Sequence, residues 1–209
     1  MKITFLGTGT SQGIPMIANN DPVCLSNNSK DKRLRSSIMI SWDDICYIID
    51  CGPDFRQQML RENVQAINGV LFTHEHSDHT AGIDDLRPYT YKMGEVPIYA
   101  QERVIESLKI RFSYIFETEN RYAGAPKLTE NIIDSNSFML NGVCVTPIAV
   151  MHGKLPITGY RFGNVAYITD LKTMSDQEKK KLEGLDILIV NALRITTHPT
   201  HLNLEEAIG

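Results

Sequence analysis

The apolar run Gly69-Val70-Leu71-Phe72 is followed almost at once by His74-Glu75-His76-Ser77-Asp78-His79, which holds three of the chain's six histidines. That junction restricts the fold more than any other feature of the chain. The run reads as a short buried strand, and Thr73 marks its exit into a loop that carries function rather than packing. In an extended stretch His74 and His76 point to the same side, because side chains alternate with period two. Asp78 and His79 follow a turn and can face a second point a few ångströms away. Neutral imidazole plus carboxylate is the ligand set that a divalent transition metal prefers. The plainer reading is a solvated polar turn, since all four residue types are common on surfaces, but the density of ligands argues for a metal.

Two later segments repeat the pattern. His152 follows the strand-like run Val143 to Met151 and precedes Gly153, and Asp170 closes Val165-Ala166-Tyr167-Ile168-Thr169. A single strand-end His or Asp is ordinarily a turn residue or a cap. Three strand ends that each deliver His or Asp are better explained by one convergent sheet edge.

Around these segments the chain reads as one domain of many short strands with helices between. Ile3 to Leu6 is a first strand, followed by the turn Gly7-Thr8-Gly9-Thr10-Ser11-Gln12-Gly13. Ser37 to Ser41 alternates as a half-buried strand, and Cys46 to Asp50 is its hairpin partner after Trp42-Asp43-Asp44. Asp54 to Asn63 has helical spacing, with Asp54 as N-cap and Phe55, Met59 and Leu60 on one face. Ala81 to Leu86 is a helical turn ended by Arg87-Pro88. Val96-Pro97-Ile98-Tyr99 is a strand placed at an edge by its proline, and Gln101 to Phe112 is a helix. Glu117 to Ala125 is a polar surface excursion. Phe138 to Leu140, Val143 to Ile148, Gly159 to Phe162, Val165 to Ile168 and Ile187 to Val190 form a second set of strands, with Ser175 to Leu182 as a charged surface helix. The basic run Lys30 to Arg35 reads as a solvated face.

Length and composition set the outer bounds. With 209 residues, 42% of them hydrophobic, the chain can bury one sizeable core. A net charge of -4 and a pI near 5.9 supply no basic footprint, so nucleic acid is not an expected partner. Met1 to Gly7 lacks the form of a secretory signal, and no apolar stretch approaches the roughly 20 residues that span a bilayer. A cytoplasmic protein with no membrane partner is the expectation. Cys24, Cys46, Cys51 and Cys144 show no paired spacing, so a disulfide framework is not expected. Cys46 and Cys144 read as small buried apolar residues.

His74-x-His76-x-Asp78-His79, preceded by Asp50-Cys51-Gly52 and followed by His152 and Asp170, resembles the metallo-β-lactamase superfamily in its dinuclear form. Phe5-Leu6-Gly7-Thr8-Gly9-Thr10-Ser11-Gln12-Gly13-Ile14-Pro15 and Arg33-Leu34-Arg35-Ser36-Ser37 resemble its cyclic phosphodiesterase branch. That branch includes the phosphoribosyl 1,2-cyclic phosphate phosphodiesterase and is related to ribonuclease Z. The resemblance implies an α/β (α+β) fold, a four-layer αββα sandwich with its metal site at one edge of the sheets. It also implies two divalent metal ions, manganese or zinc: His74, His76 and His152 on the first, Asp78 and His79 on the second, and Asp170 bridging. His201 resembles the branch's general acid, and His198 is the competing residue.

Two departures accompany the resemblance. Relatives commonly carry a cysteine-rich structural zinc site after the glycine loop, whereas Ala18 to Cys24 retains only Cys24, and one cysteine cannot close such a site. No structural zinc is expected at Cys24. The family pattern also calls for one more histidine on the second metal, beyond the position of His201, and Leu204 to Gly209 reads as a helix cut off in its first turns. The chain is therefore expected to lack the last strand and helix of the fold, leaving the second metal the weaker of the two.

The leading functional expectation is a metal-dependent phosphodiesterase acting on a small or cyclic phosphodiester. The alternatives are a ribonuclease Z-like nuclease, a glyoxalase-type thioesterase, and a metal-poor binding relative. Arg87, Tyr89, Tyr91 and Lys154 lie near the ligand segments and are weighed as substrate contacts against ordinary surface or packing roles. Ser11 and Gln12 sit in a glycine loop whose N–H groups could approach an anion. A homodimer is left open.

Overall fold

Strand patterning and turn residues divide the protein into two sets of strands, one on either side of Ile132. The computed structural model describes residues 1–119 and 121–209, which fall into two units, Met1–Ile132 and Ile133–Gly209. In the first unit Lys2–Gly7 (β1), Ser37–Trp42 (β2) and Ile45–Ile49 (β3) form an antiparallel meander. Alternation in β2 buries Ile38 and Ile40, as the sequence predicts. Gly69–Leu71 (β4), Val96–Ala100 (β5) and Leu128–Ile132 (β6) continue the same sheet in parallel, in the order β1-β2-β3-β4-β5-β6.

Parallel neighbours need crossover connections, and helices supply them. Pro22–Leu25 (α1) lies between β1 and β2, and Phe55–Arg61 (α2) joins β3 to β4. Ser77–Thr80 (α3) and Arg87–Met93 (α4) join β4 to β5, and Glu102–Arg111 (α5) with Ser113–Phe116 (α6) join β5 to β6. The core of this unit gathers Phe55 and Met59 of α2, Val70 of β4, Ile98 of β5, and Val104, Ile105 and Leu108 of α5. Each fully buried aliphatic or aromatic side chain of this kind contributes about 1.5–3 kcal/mol.

The second unit holds Phe138–Leu140 (β7), Val143–His152 (β8), Leu155–Phe162 (β9), Val165–Ile168 (β10) and Ile187–Val190 (β11) in the order β11-β10-β9-β8-β7. β9 runs against both β8 and β10, and β11 runs parallel to β10. The carboxyl ends of β8, β10 and β11 therefore share one edge of this sheet. Asp176–Lys180 (α7) is the charged helix, with the Ser175 hydroxyl accepting from the Glu178 N–H, and Leu204–Ile208 (α8) closes the described chain. Ile148, Val150, Ile157, Ala166 and Ile168 make its core. The two sheets and their helices agree with the mixed α/β class. Among the described residues no helix is long and apolar enough to cross a membrane.

Several local expectations need correction. Pro97 does not make β5 an edge strand, since β5 lies between β4 and β6. The Val96 N–H donates to the Lys127 carbonyl, which turns position 97 toward β4, and the β4 ladder begins only at Val70 opposite Ile98. Proline's missing donor thus falls just outside the ladder. The expected helical turn before Arg87-Pro88 is the 3-10 turn Ile83–Leu86, which does end there. Arg87-Pro88 also begins α4, because proline in a first helical turn forfeits an N–H that has no partner there anyway. Leu60 is exposed, and its place on the inner face of α2 is taken by buried Gln58, whose amide donates to the Arg35 carbonyl. Asp54 flanks α2 without a side-chain cap, because its carboxylate is drawn to the Arg35 amide and guanidinium at 2.8 and 3.0 Å. Cys144 is exposed on β8 rather than buried. In the stretch 117–125, Asn120 lies outside the described residues.

One close approach joins β3 to the ligand loop. The Cys51 N–H donates to the His79 carbonyl at 2.8 Å, and the Gly82 N–H donates to the Cys51 carbonyl at 2.9 Å. A Cβ on Gly52 would lie 1.9 Å from the Asp78 carbonyl oxygen, so only glycine fits. Gly52→Ala is expected to destabilise the protein by roughly 1–3 kcal/mol through overpacking against a backbone that cannot yield. Denaturant unfolding measures this, and an unchanged midpoint would contradict the packing described.

Candidate metal centre

Parallel pairing of β3 and β4 places two strand ends side by side, with Ile49 opposite Leu71 and the Asp50 N–H donating to the Leu71 carbonyl. In open parallel sheets the loops beyond the carboxyl ends of the strands are where ligands bind. Asp50 leaves β3 at φ 66°, a left-handed conformation that non-glycine residues adopt at some cost and that concentrates at functional sites. Its carboxylate is fully buried. It accepts from the Thr73 N–H at 2.8 Å, from the Thr73 hydroxyl at 2.9 Å, and from His79 Nδ1 at 2.7 Å. Burial pushes the Asp50 carboxyl above its ordinary range, against the pull of His79 and Thr73.

These bonds decide which ring nitrogens face outward. With Nδ1 of His79 given to Asp50, Nε2 is the nitrogen left to meet a metal, and it lies 3.2 Å from Asp78 Oδ2. The Thr73 hydroxyl, having donated to Asp50, accepts from His74 Nδ1 at 2.9 Å. His74 therefore presents Nε2, which stands 3.0 Å from His76 Nδ1. The loop thus offers two pairs of ligand atoms, His74 with His76 and Asp78 with His79, and the ring centroids of His74 and His79 are 4.2 Å apart. Convergent imidazole nitrogens beside a carboxylate, held from behind by a carboxylate–histidine bond, are a donor set that fits divalent zinc or manganese.

The second unit carries its own strand-end donors. His152, the last residue of β8, engages the Thr200 carbonyl through Nδ1 at 2.8 Å, which directs Nε2 outward. Gly153 turns the chain at φ +62°. Asp170 leaves β10 in the left-handed region, at φ 54°, as Asp50 does beyond β3. Its Oδ1 is 3.3 Å from His201 Nδ1. The segment after β11 is tied to the segment after β10, since the Leu171 amide donates to Asn191 Oδ1 at 2.7 Å and the Leu202 N–H donates to the Leu171 carbonyl at 2.9 Å. The rings of His152, His201 and His198 follow one another with centroids 4.5 and 4.9 Å apart. Burial, together with His201, Arg194, His152 and Lys172, holds His198 below the ordinary imidazole range. His201 stands against both Asp170 and His152.

The structure thus brings together His74, His76, Asp78 and His79 in one unit, and His152, Asp170 and His201 in the other. It withdraws Tyr89 as a surface contact: the ring is buried against Phe55 and its hydroxyl donates to the Val64 carbonyl. Arg87 is engaged with Asp84, and the Tyr91 hydroxyl donates to the Gly124 carbonyl. Asp50, Thr73 and the Thr200 carbonyl bond the ring nitrogens of His79, His74 and His152, contacts that the motif spacing did not assign. A strand-end aspartate ahead of a histidine loop is the signal that could have found Asp50, because a ligating histidine ordinarily gives its other nitrogen to a carboxylate.

A family model described as a beta-lactamase superfamily domain matches residues 46–209. The chain is 40% identical to an octanoyltransferase of Porphyromonas gingivalis, a match covering 100% of this chain and 42% of that protein. It is 27% identical to a ribonuclease Z of Methanococcus maripaludis, over 90% of this chain and 54% of that one. The chain thus spans about half the length of the curated relatives it matches. Among solved structures, the crystal structure of a diphosphatase from the PhnP family superposes with a TM-score of 0.90 at 39% identity, covering 99% of this chain and 79% of that one.

Asp50→Ala removes the group that orients His79 and, through Thr73, His74. Loss of such a partner is expected to weaken divalent metal binding about 10–100-fold, read by equilibrium dialysis against Zn²⁺ or Mn²⁺. Wild-type affinity in a folded variant would refute the orienting role.

Proposed function

The chain belongs to the beta-lactamase superfamily, and on that premise we propose that it is a metal-dependent phosphodiesterase acting on a small or cyclic phosphodiester. The observation that carries this reading is the double pair of ligand atoms on the loop after β4, with His74 and His79 each fixed in one tautomer from behind. The likeness to a PhnP-family diphosphatase supports hydrolysis at a phosphorus centre. We assign His74, His76 and His152 to a first ion and Asp78 with His79 to a second, with Asp170 shared between them.

Divalent ions held by these residues would supply Lewis-acid activation of water and neutralisation of phosphate charge. The protein's own contribution is placement and proton handling. Asp50 and Thr73 hold the imidazoles of the loop without searching for a geometry, and the Thr200 carbonyl does the same for His152. His201, with Nδ1 toward Asp170, is oriented to give its other proton to the leaving alkoxide. His198, held below the ordinary imidazole range by burial first and by its cationic neighbours second, is less often protonated and so less often has a proton to give.

A ribonuclease Z-like activity is the second reading, favoured by the likeness to the Methanococcus maripaludis enzyme. The net charge of -4 weighs against it, because binding of a polyanionic RNA rests on a basic surface. An assay series with added Mn²⁺ or Zn²⁺ separates the readings, using an artificial phosphodiester, a cyclic ribose phosphate, precursor tRNA and a thioester.

Turnover of the artificial diester by the metal-loaded wild type, lost by at least 100-fold in His76→Ala, is the expected outcome. An undiminished rate in that variant would sink the site assignment. His201→Ala is expected to slow diesters with basic leaving groups about 10²–10⁴-fold and activated aryl esters far less, because a general acid matters most when the leaving oxygen is basic. Equal losses on both would remove His201 from that role.

A further inference from the structure

The ligand loop is held from its outer side as well as from Asp50, by two arginines at opposite ends of α5. Val104, Ile105 and Leu108 fix that helix in the core. Over its ten residues an α-helix spans about 15 Å, so its ends can reach two separate points of a loop. Arg103, in the first turn, pairs with the carboxylate of Glu75, the residue between the ligands His74 and His76. Arg111, at the end of the helix, donates through Nη2 to the Thr80 hydroxyl at 2.9 Å.

The Thr80 hydroxyl in turn donates to the His76 carbonyl at 2.8 Å. A guanidinium has donors only, so the hydroxyl must accept from Arg111, and its single proton is turned to the backbone, chiefly to the His76 carbonyl and more weakly to the Glu75 carbonyl at 3.4 Å. Without Arg111 the hydroxyl could rotate and the bond to His76 would be optional. The Glu75 carboxylate also offsets the cost of desolvating the Arg111 charge.

We propose that Arg111 is a positioning residue for divalent metal binding, acting through the Thr80 hydroxyl to hold the backbone of His76 so that its Nδ1 meets His74 Nε2. Arg103 and Glu75 form the other end of the same clamp. None of these four side chains is a metal ligand. Their effect is on the backbone that presents the ligands, where a displacement of a few tenths of an ångström changes how two nitrogens share one ion.

The proposal rests on the metal-binding reading above, and one experiment separates the two. Zn²⁺ affinity is measured by competition with a chromophoric chelator for the wild type, Arg111→Met, Arg111→Lys, Thr80→Val, Thr80→Ser, and the double variant Arg111→Met/Thr80→Val. A wild type that binds no Zn²⁺ overturns the reading of the site itself. Given binding, Arg111→Met and Thr80→Val should each weaken it about tenfold, at the lower end of the losses found for groups that orient ligands. The double variant should lose no more than either single one, because both break one chain of contacts. Thr80→Ser keeps the hydroxyl and should keep wild-type affinity, and Arg111→Lys should recover part of it.

The metal-free proteins are melted alongside, since a merely structural role would lower the metal-free midpoint and leave Zn²⁺ affinity of the folded protein unchanged. Affinity within twofold of wild type in Arg111→Met and Thr80→Val would overturn the proposal. So would additive losses, or an equal loss in Thr80→Ser. Should Arg111→Met fail to fold, the contrast between Thr80→Val and Thr80→Ser decides alone.

Discussion

A buried carboxylate with its partners organises the first unit. Asp50 sits at the end of β3 with no solvent contact, and an ionised carboxylate so placed costs several kcal/mol in lost hydration. Three donors offset that cost, two from Thr73 and one from His79. Hydrogen bonds to a charged group contribute about 1.5–3 kcal/mol each. The same three bonds select the tautomers of His74 and His79, so the group that must be satisfied in order to be buried is also the one that aims the ligands. Fold and site share this interaction.

The second unit reaches a similar result by other means. Its donors sit at the ends of β8 and β10, and the segment carrying His198 and His201 is pinned by backbone and asparagine contacts around Leu171 and by the capping box of Asn203 and Glu206 at α8. Asp50 and Asp170 both leave their strands in the left-handed region. A conformation that costs about 1–3 kcal/mol persists only where its surroundings enforce it, and here both instances fall on strand-end carboxylates that touch a histidine.

Much of this was legible in the chain itself. The strand before His74, the hairpin of Ser37 to Asp50, the charged helix near Asp176 and the strand-end positions of His152 and Asp170 all follow from periodicities of a few residues. The errors fell where partners distant in sequence decide. Asp54 gave up capping α2 for the Arg35 side chain. Leu60 is a different case, since at five residues from Phe55 it falls off the inner face by helical spacing itself, and Gln58, three residues on, takes that face and donates to the Arg35 carbonyl. Pro97 entered a central strand because the neighbouring ladder starts one residue later. Helical spacing and proline rules describe a segment alone and carry no information on what its neighbour lacks.

By itself, then, the sequence determined which donor types exist and that each follows a strand, since residue identity and side-chain alternation are local. Tertiary structure decided which nitrogen of each imidazole faces outward, which carboxylate stands behind His79, and that α5 grips the loop at Glu75 and Thr80. The physical reason is separation along the chain. Asp50 and His79 are 29 residues apart and Arg111 and Thr80 are 31 apart, so their meeting depends on the parallel register of β3 with β4 and on the docking of α5, not on any repeat within the loop.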